Sequence, residues 1–321
     1  MNPNVRRAML GIVWLVGLVF PLIDRNGFHV EIAVTCLIYI LLALGLNVIV
    51  GYVGLLNLGY AAFFAVGAYT YALLNIHAHV SFWLGLPIAV IACAMVGILL
   101  AFPAVRLRGD YLAIVSLGFG EIVRIALNNL DFVTGGPNGL LGIAHPSVLY
   151  PALGAGRVEW KIFEFGVGST PYFFLAFGLA SLTIFGMQKL QGSRIGRTWR
   201  AVREDELAAS CAGVNVNKTK LLACGLGAAV AGVAGCLFAA KQGSISPDSF
   251  DFIVSVMIVA MLVLGGFGSI AGAIVGAVVL TVLPEMFRGF TTYRMLLFGV
   301  AMILITLFRP QGIFGGKKAS G

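Results

Sequence analysis

Charge is what this sequence has least of. Asp, Glu, Lys and Arg make up 11% of its 321 residues, against about 25% in a soluble globular domain. Hydrophobic residues make up 60%, above the roughly 45–50% of such domains. Too few charged side chains remain to cover a water-facing surface, so a soluble fold is excluded. Histidine is scarcer still. His29, His77, His79 and His145 are the full set, and the one close pair, His77 and His79, lacks the companions a zinc site needs. Four of the five cysteines (Cys36, Cys93, Cys211, Cys224 and Cys236) lie in apolar runs, and none has metal-ligand spacing. They read as small buried hydrophobes. No metal site is expected. No P-loop occurs: the nearest stretch, "QGIFGGKK" at 311–318, lacks the first glycine and the Ser/Thr after Lys317. Transport driven by ATP would therefore need its ATPase on another chain. Nor do paired carboxylates or a Ser/His set fall in one plane, which argues against a membrane enzyme.

What the sequence does have is long apolar runs. They fall near 8–23, 30–50, 53–75, 81–102, 111–127, 171–187, 221–240, 252–283 and 295–308. About 20 mainly apolar residues cross a bilayer. The fold class is all-α polytopic membrane protein with about 8–10 transmembrane helices. The run 252–283 would make one helix of about 48 Å, too long for a hydrocarbon core of about 30 Å, and "GGFGS" at 265–269 interrupts it. It reads as a broken or re-entrant pair, with Gly265, Gly266 and Gly268 at the break. "GGFGSIA" also matches a dinucleotide fingerprint, but no second strand follows, and a span break is the better reading.

Lys and Arg set orientation. Arg6 and Arg7 hold the N-terminus inside, and 5–23 reads as an uncleaved first span with no signal-peptide cleavage site. Alternation then places Arg106, Arg108, Lys189 and the arginines at 194, 197, 200 and 203 inside. Lys317 and Lys318 place the C-terminus inside too. The net charge of +8 belongs to these flanks and not to nucleic acid. The chain reads as one permease domain over 1–321. Its parts are a cytoplasmic N-terminus at 1–7, a periplasmic loop at 128–170, a cytoplasmic coupling loop at 188–220 and a cytoplasmic tail at 309–321.

Glycine is abundant, with 42 residues. Gly272 and Gly276 form GxxxG, and Ala231 and Gly235 are similarly spaced. Such pairs let helix backbones approach, within one subunit or between two. Polar residues inside the apolar runs are candidates for the translocation pathway: Asn47, Asn57, Tyr60, Glu121 and Arg124. They either line a path or tie helices together. Glu121 and Arg124 lie three apart on one helical face. They are either a deep neutralised pair or an interfacial one.

Eight charged residues crowd between Lys189 and Glu206. "RIGRTWRAVR" at 194–203 spaces arginine every third residue, as in a voltage sensor, but its polar flanks and inside location oppose that reading. The stretch 194–213 reads as a short cytoplasmic helix that stops at Gly213. It is either a docking element for a partner's groove or a solvated loop.

This stretch resembles a known family. "RAVREDELAASCAGVNVNKTKLLACGLGAAVAGVAG" (200–235) is similar to the coupling loop of ATP-binding-cassette importer permeases, and in particular of the branched-chain amino acid permeases. The match falls on Arg203, Glu204, Glu206, Ala208, Ala209, Gly213, Val214 and Asn215. "GLNVIVGYVGLLNLGYAAFFAVGAYTYALL" (45–74), "RLRGDYLAIVSLGFGEIVR" (106–124), "TGGPNGL" (134–140), "VLGGFGSIAGAIVGA" (263–277) and "RPQGIFG" (309–315) also resemble it, in order, over nearly the whole chain. The likeness is to the LivM type more than to its LivH-type partner. Cys224 departs from the family, which usually has an aromatic there. The resemblance implies a non-enzymatic permease subunit for import of leucine, isoleucine and valine across the bacterial inner membrane. It implies a LivH-type permease partner, two ATPase subunits and a periplasmic substrate-binding protein. No cofactor is expected on this chain; ATP and magnesium would sit on the ATPases. Residues 203–213, Asp205 included, would be the ATPase-coupling element. Relatives that carry urea, amides or other amino acids keep the substrate open. An ion-coupled secondary transporter using Glu121 and the 252–283 break is the competing class.

Overall fold

The computed structural model describes residues 27–104, 110–154, 157–164 and 169–286, with Gly17, Pro21 and Gly299. The runs expected near 8–23 and 295–308, the termini at 1–7 and 309–321, and Arg106 and Arg108 lie outside the described residues. The elements run α1 (Gly27–Leu46), α2 (Tyr60–Ala78), α3 (Phe82–Ala104), α4 (Asp110–Asn129), α5 (Ser169–Gly192), α6 (Arg194–Glu204), α7 (Glu206–Cys211), α8 (Val216–Gln242), α9 (Phe252–Gly265) and α10 (Ile270–Met286). Four short strands sit between them: β1 (Leu140–Leu141), β2 (Ser147–Gly154), β3 (Arg157–Glu164) and β4 (Ser244–Ile245). Among the described residues, seven helices are long and apolar enough to cross a membrane, and Ile270–Met286 is a shorter apolar helix. The chain is an all-α polytopic membrane protein.

Most of these helices are apolar on every side, as membrane spans are. Their ends carry the local signals. Asn215 caps α8 by accepting from the Lys218 N–H at 3.0 Å. Gly243 closes it at φ 67°, a left-handed geometry that suits glycine. Asp251 starts α9 through the Phe252 N–H.

α8 is the central helix, packed against α1, α2 and α3. Its inward face is alanine and glycine, so the neighbours come close. A methyl group on Gly67 of α2 would stand 2.7 Å from Gly232 Cα. α3 and α4 lie outside and leave large apolar side chains exposed, among them Leu99, Phe102, Tyr111 and Ile114. In water that surface would drive aggregation; in lipid it is ordinary.

The 252–283 run is broken as expected. α9 and α10 are antiparallel, joined across Gly266 (φ 103°) and Gly268 (φ 81°). The GxxxG pair packs this hairpin internally: a methyl group on Gly272 would come within 2.8 Å of the Gly265 carbonyl carbon. Gly276 likewise faces Met261 and Gly265. The small residues serve contact within this subunit. The stretch expected as a loop, 128–170, holds more structure than its turn residues announce. β2 and β3 form an antiparallel hairpin in register from Ser147↔Glu164 to Gly154↔Arg157. β1 pairs with β4 just past the end of α8. The two ends of the bundle thus differ. One carries the strands, and the other carries α6 and α7.

Candidate functional site

α6 lies across the second end of the bundle with one face clamped to it. Ser193 caps it through the Gly196 N–H. Trp199 is fully buried, its ring stacked on Tyr52 with centroids 6.2 Å apart. Its indole N–H donates to the Thr219 carbonyl at 3.1 Å. The arginines spaced every third residue divide their work. Arg197 and Arg200 each donate to the end of α5, at Gly192 O and Gln191 O, both at 3.2 Å. These are carbonyls that a helix C-terminus leaves unpaired. Arg203 turns the other way, and its guanidinium donates to the Gly51 carbonyl.

The expected single helix over 194–213 is two helices. Asp205 is extended (φ −155°, ψ 113°), and its carboxylate accepts from the N–H groups of Leu207 and Ala208. Aspartate is a strong N-cap, and here it starts α7 and so ends α6. Glu206 then reaches Lys220 at 2.6 Å. Lys220 is 1% exposed and sits in the second turn of α8. The outward side of α7 is open: Leu207 is 72% exposed, with Glu204, Asp205, Ala208 and Gly213 also exposed and Ala209 buried. Gly213 holds φ 83° with open space around it. The element thus presents an apolar tip flanked by acids and fixed from behind.

Above this element lies a second broken region, which the sequence marks only as the boundary between the runs 30–50 and 53–75. α1 continues as a π-helix over Asn47–Tyr52, and 54–59 is not helical. π-helical turns are rare and concentrate at functional sites. α2 begins beside Gly227, whose carbonyl accepts from Tyr60 Oη at 2.8 Å. Gly227 is eleven residues into α8, which puts the start of α2 about 16 Å along that helix. Unwound backbone at such depth must be paired or line a cavity, and both occur. Ser116 Oγ accepts from the Leu58 N–H at 3.0 Å, Asn57 Oδ1 from Gly59 at 2.9 Å and Ser255 Oγ from Ala61 at 2.9 Å. Beside the segment is a mainly apolar cavity of about 320 Å³, walled by Asn57, Gly59, Leu100, Ser116, Phe119 and other residues.

The pathway candidates therefore separate. Asn57 lines the cavity. Asn47 is fully buried, and its Oδ1 accepts from the Gly268 N–H at 2.8 Å. That bond joins the π-helix to the α9–α10 break. Tyr60, also fully buried, ties α2 to α8. Glu121 and Arg124 pair with each other, with side chains 38% and 28% exposed. They fall at the eleventh and fourteenth positions of the nineteen-residue apolar helix Tyr111–Asn129. Lys220, Trp199, Ser116 and Ser255 were not singled out from sequence. Only Lys220 carried a signal, as the second of two cations, after Lys218, at the entry to an apolar run.

A family profile described as branched-chain amino acid transport system / permease component matches residues 28–306. The chain belongs to that permease family. It is 44% identical to the Salmonella typhimurium protein named high-affinity branched-chain amino acid transport system permease protein LivM, over 96% of this chain and 75% of that one. The Escherichia coli protein of the same name is similar to the same degree. The Escherichia coli permease protein LivH of that system is 27% identical, over 86% of this chain and 91% of that one. No solved structure matches this permease.

Proposed function

We propose that this permease is the LivM-type subunit of an ATP-binding-cassette importer for leucine, isoleucine and valine. The observation that carries the reading is the α6–α7 element: one face is anchored to the bundle by Trp199, Arg203 and the Glu206–Lys220 pair, and the other ends in an exposed Leu207. An element held from behind and apolar in front transmits force from a docked partner. In this reading Glu204, Asp205, Leu207, Ala208 and Gly213 face a groove of one ATPase subunit. Two such subunits bind ATP and magnesium, a homologous LivH-type permease completes the membrane part, and a periplasmic binding protein delivers substrate. ATP-driven closure favours one orientation of the membrane part, and the coupling is reciprocal. Concentrated Lys and Arg at the α6–α7 end support a cytoplasmic position for that end. In this reading the membrane is the bacterial inner membrane, with both termini inside and the β2–β3 hairpin in the periplasm.

The test is reconstitution of the whole complex with a panel of labelled amino acids and urea. ATP-dependent uptake of leucine, isoleucine and valine is expected. Preferential uptake of urea, amides or polar amino acids would overturn the substrate assignment. The Glu121–Arg124 pair at the middle of α4 favours a second reading, an ion-coupled secondary transporter. Uptake by the chain alone, driven by an ion gradient without ATP, would establish it.

A further inference from the structure

Resting on the permease reading, we infer that Arg203 is a positioning residue that carries movement of the docked α6–α7 element into both broken helices at once. Its place in the structure is the argument. The guanidinium donates to Gly51 O, inside the π-helix. The same guanidinium lies against Gly268: a methyl group there would stand 3.0 Å from Arg203 Nη1 and 3.1 Å from Gly51 O. The aliphatic part of Arg203 packs on Gly54, where a methyl group would stand 3.2 Å from Cγ. Gly54 (φ 83°) and Gly268 (φ 81°) both hold left-handed backbone, so neither turn tolerates a side chain without strain. Asn47 closes the circuit by accepting from the Gly268 N–H. One cationic side chain thus joins the end of α6, the unwinding point of α1 and the turn between α9 and α10.

The joined region also holds unpaired polar groups. Among the described residues, Asn47 Nδ2 and the Tyr52 hydroxyl are buried with no hydrogen-bond partner, as is the Tyr69 hydroxyl, which lies apart from them in α2. Asn47 and Tyr52 belong to the π-helix. Buried polar groups left unpaired are costly, and a second arrangement that pairs them would offset part of that cost. A π-helix has such an arrangement close by, since slipping one hydrogen bond returns it to α geometry. That slip would move the residues that follow, 54–59, which form one wall of the cavity. Meanwhile the Glu206–Lys220 pair holds the start of α7 to the base of α8 and gives the motion a fixed pivot. Arg203 is exposed along with Glu204 and Leu207, but its guanidinium is held against Gly51 and Gly268, whereas Glu204 and Leu207 are left to face the partner.

The test uses the assembled complex in proteoliposomes, with amino acid imported per ATP hydrolysed as the first readout. For Arg203→Ala this ratio should fall about tenfold, the ordinary size of a coupling between two sites, while the ATPase subunits still co-purify. The second readout is amide hydrogen exchange over 51–59 with and without a non-hydrolysable ATP analogue. Exchange should respond to the analogue in the wild-type complex and not in Arg203→Ala. Arg203→Lys, which keeps a donor for Gly51, should restore most of the ratio; should Arg203→Ala not assemble, its ratio relative to wild type and its exchange response decide. An unchanged ratio, or 51–59 still responding in an assembled Arg203→Ala complex, would overturn the inference and leave the permease reading standing. Wild-type chain that purifies from its native membrane without ATPases would overturn both.

Discussion

α8 and the α1–α2 passage contain the same kind of residue and use it in opposite ways. α8 runs unbroken from Val216 to Gln242 through Gly225, Gly227, Gly232 and Gly235. There glycine is a missing side chain that lets α2 and α3 approach. Between Gly51 and Gly59 glycine is a backbone that bends: Gly54 is left-handed, and the chain stays unwound until Tyr60. Gly266 and Gly268 do the same between α9 and α10. The difference separates a rigid axis from two joints, and Arg203 touches both joints.

Substitutions can break that comparison, the largest effect first. Gly67→Val should strike the axis, because its side chain would meet Gly232 backbone. We expect a loss of about 3 kcal/mol, the upper part of the overpacking range. The check is thermal unfolding of the detergent-solubilised chain, and an unchanged midpoint would remove the close-packing argument. Glu206→Lys comes next. It leaves the Lys220 ammonium facing a like charge, at a cost below the roughly 3–5 kcal/mol of a fully buried pair because Glu206 is 39% exposed. ATP-coupled uptake should be abolished while the chain still reaches the membrane, and adding Lys220→Glu should restore part of it. Gly54→Ala should cost about 1–2 kcal/mol for left-handed backbone and lower uptake with assembly intact, as a joint would and an axis would not. Glu121→Gln should be mildest for stability, since the pair is partly exposed. It should slow transport without loss of ATPase assembly, and wild-type rates would limit Glu121 to a local partner of Arg124.

The broken pair at 252–283 was legible because its length exceeds a bilayer and its glycines cluster. The charged stretch at 194–213 was legible as a separate helical element because charge is scarce everywhere else. The unwound region at 54–59 was not, for a physical reason. A helix apolar on all sides shows no periodicity to lose, so the runs 30–50 and 53–75 are separated only at residues 51–52, and the second reads as beginning at 53 although the chain is not helical over 54–59 and helix resumes at Tyr60. The direction of Arg203 was equally hidden. Four arginines at regular spacing look alike, and the partners that distinguish them, Gln191, Gly192 and Gly51, are backbone carbonyls that carry no residue identity. The β2–β3 hairpin escaped because a mixed-charge stretch with one glycine turn fits loop and strand alike.

The central claim is that ATP hydrolysis by another protein enters this one at α7. Site-directed cross-linking tests it most directly, using Leu207→Cys in a Cys211→Ser background and the native membrane. The account predicts a cross-linked product containing an ATPase subunit from position 207, and none from His79→Cys at the opposite end of the bundle. No ATPase product from 207 in an actively transporting complex would contradict it.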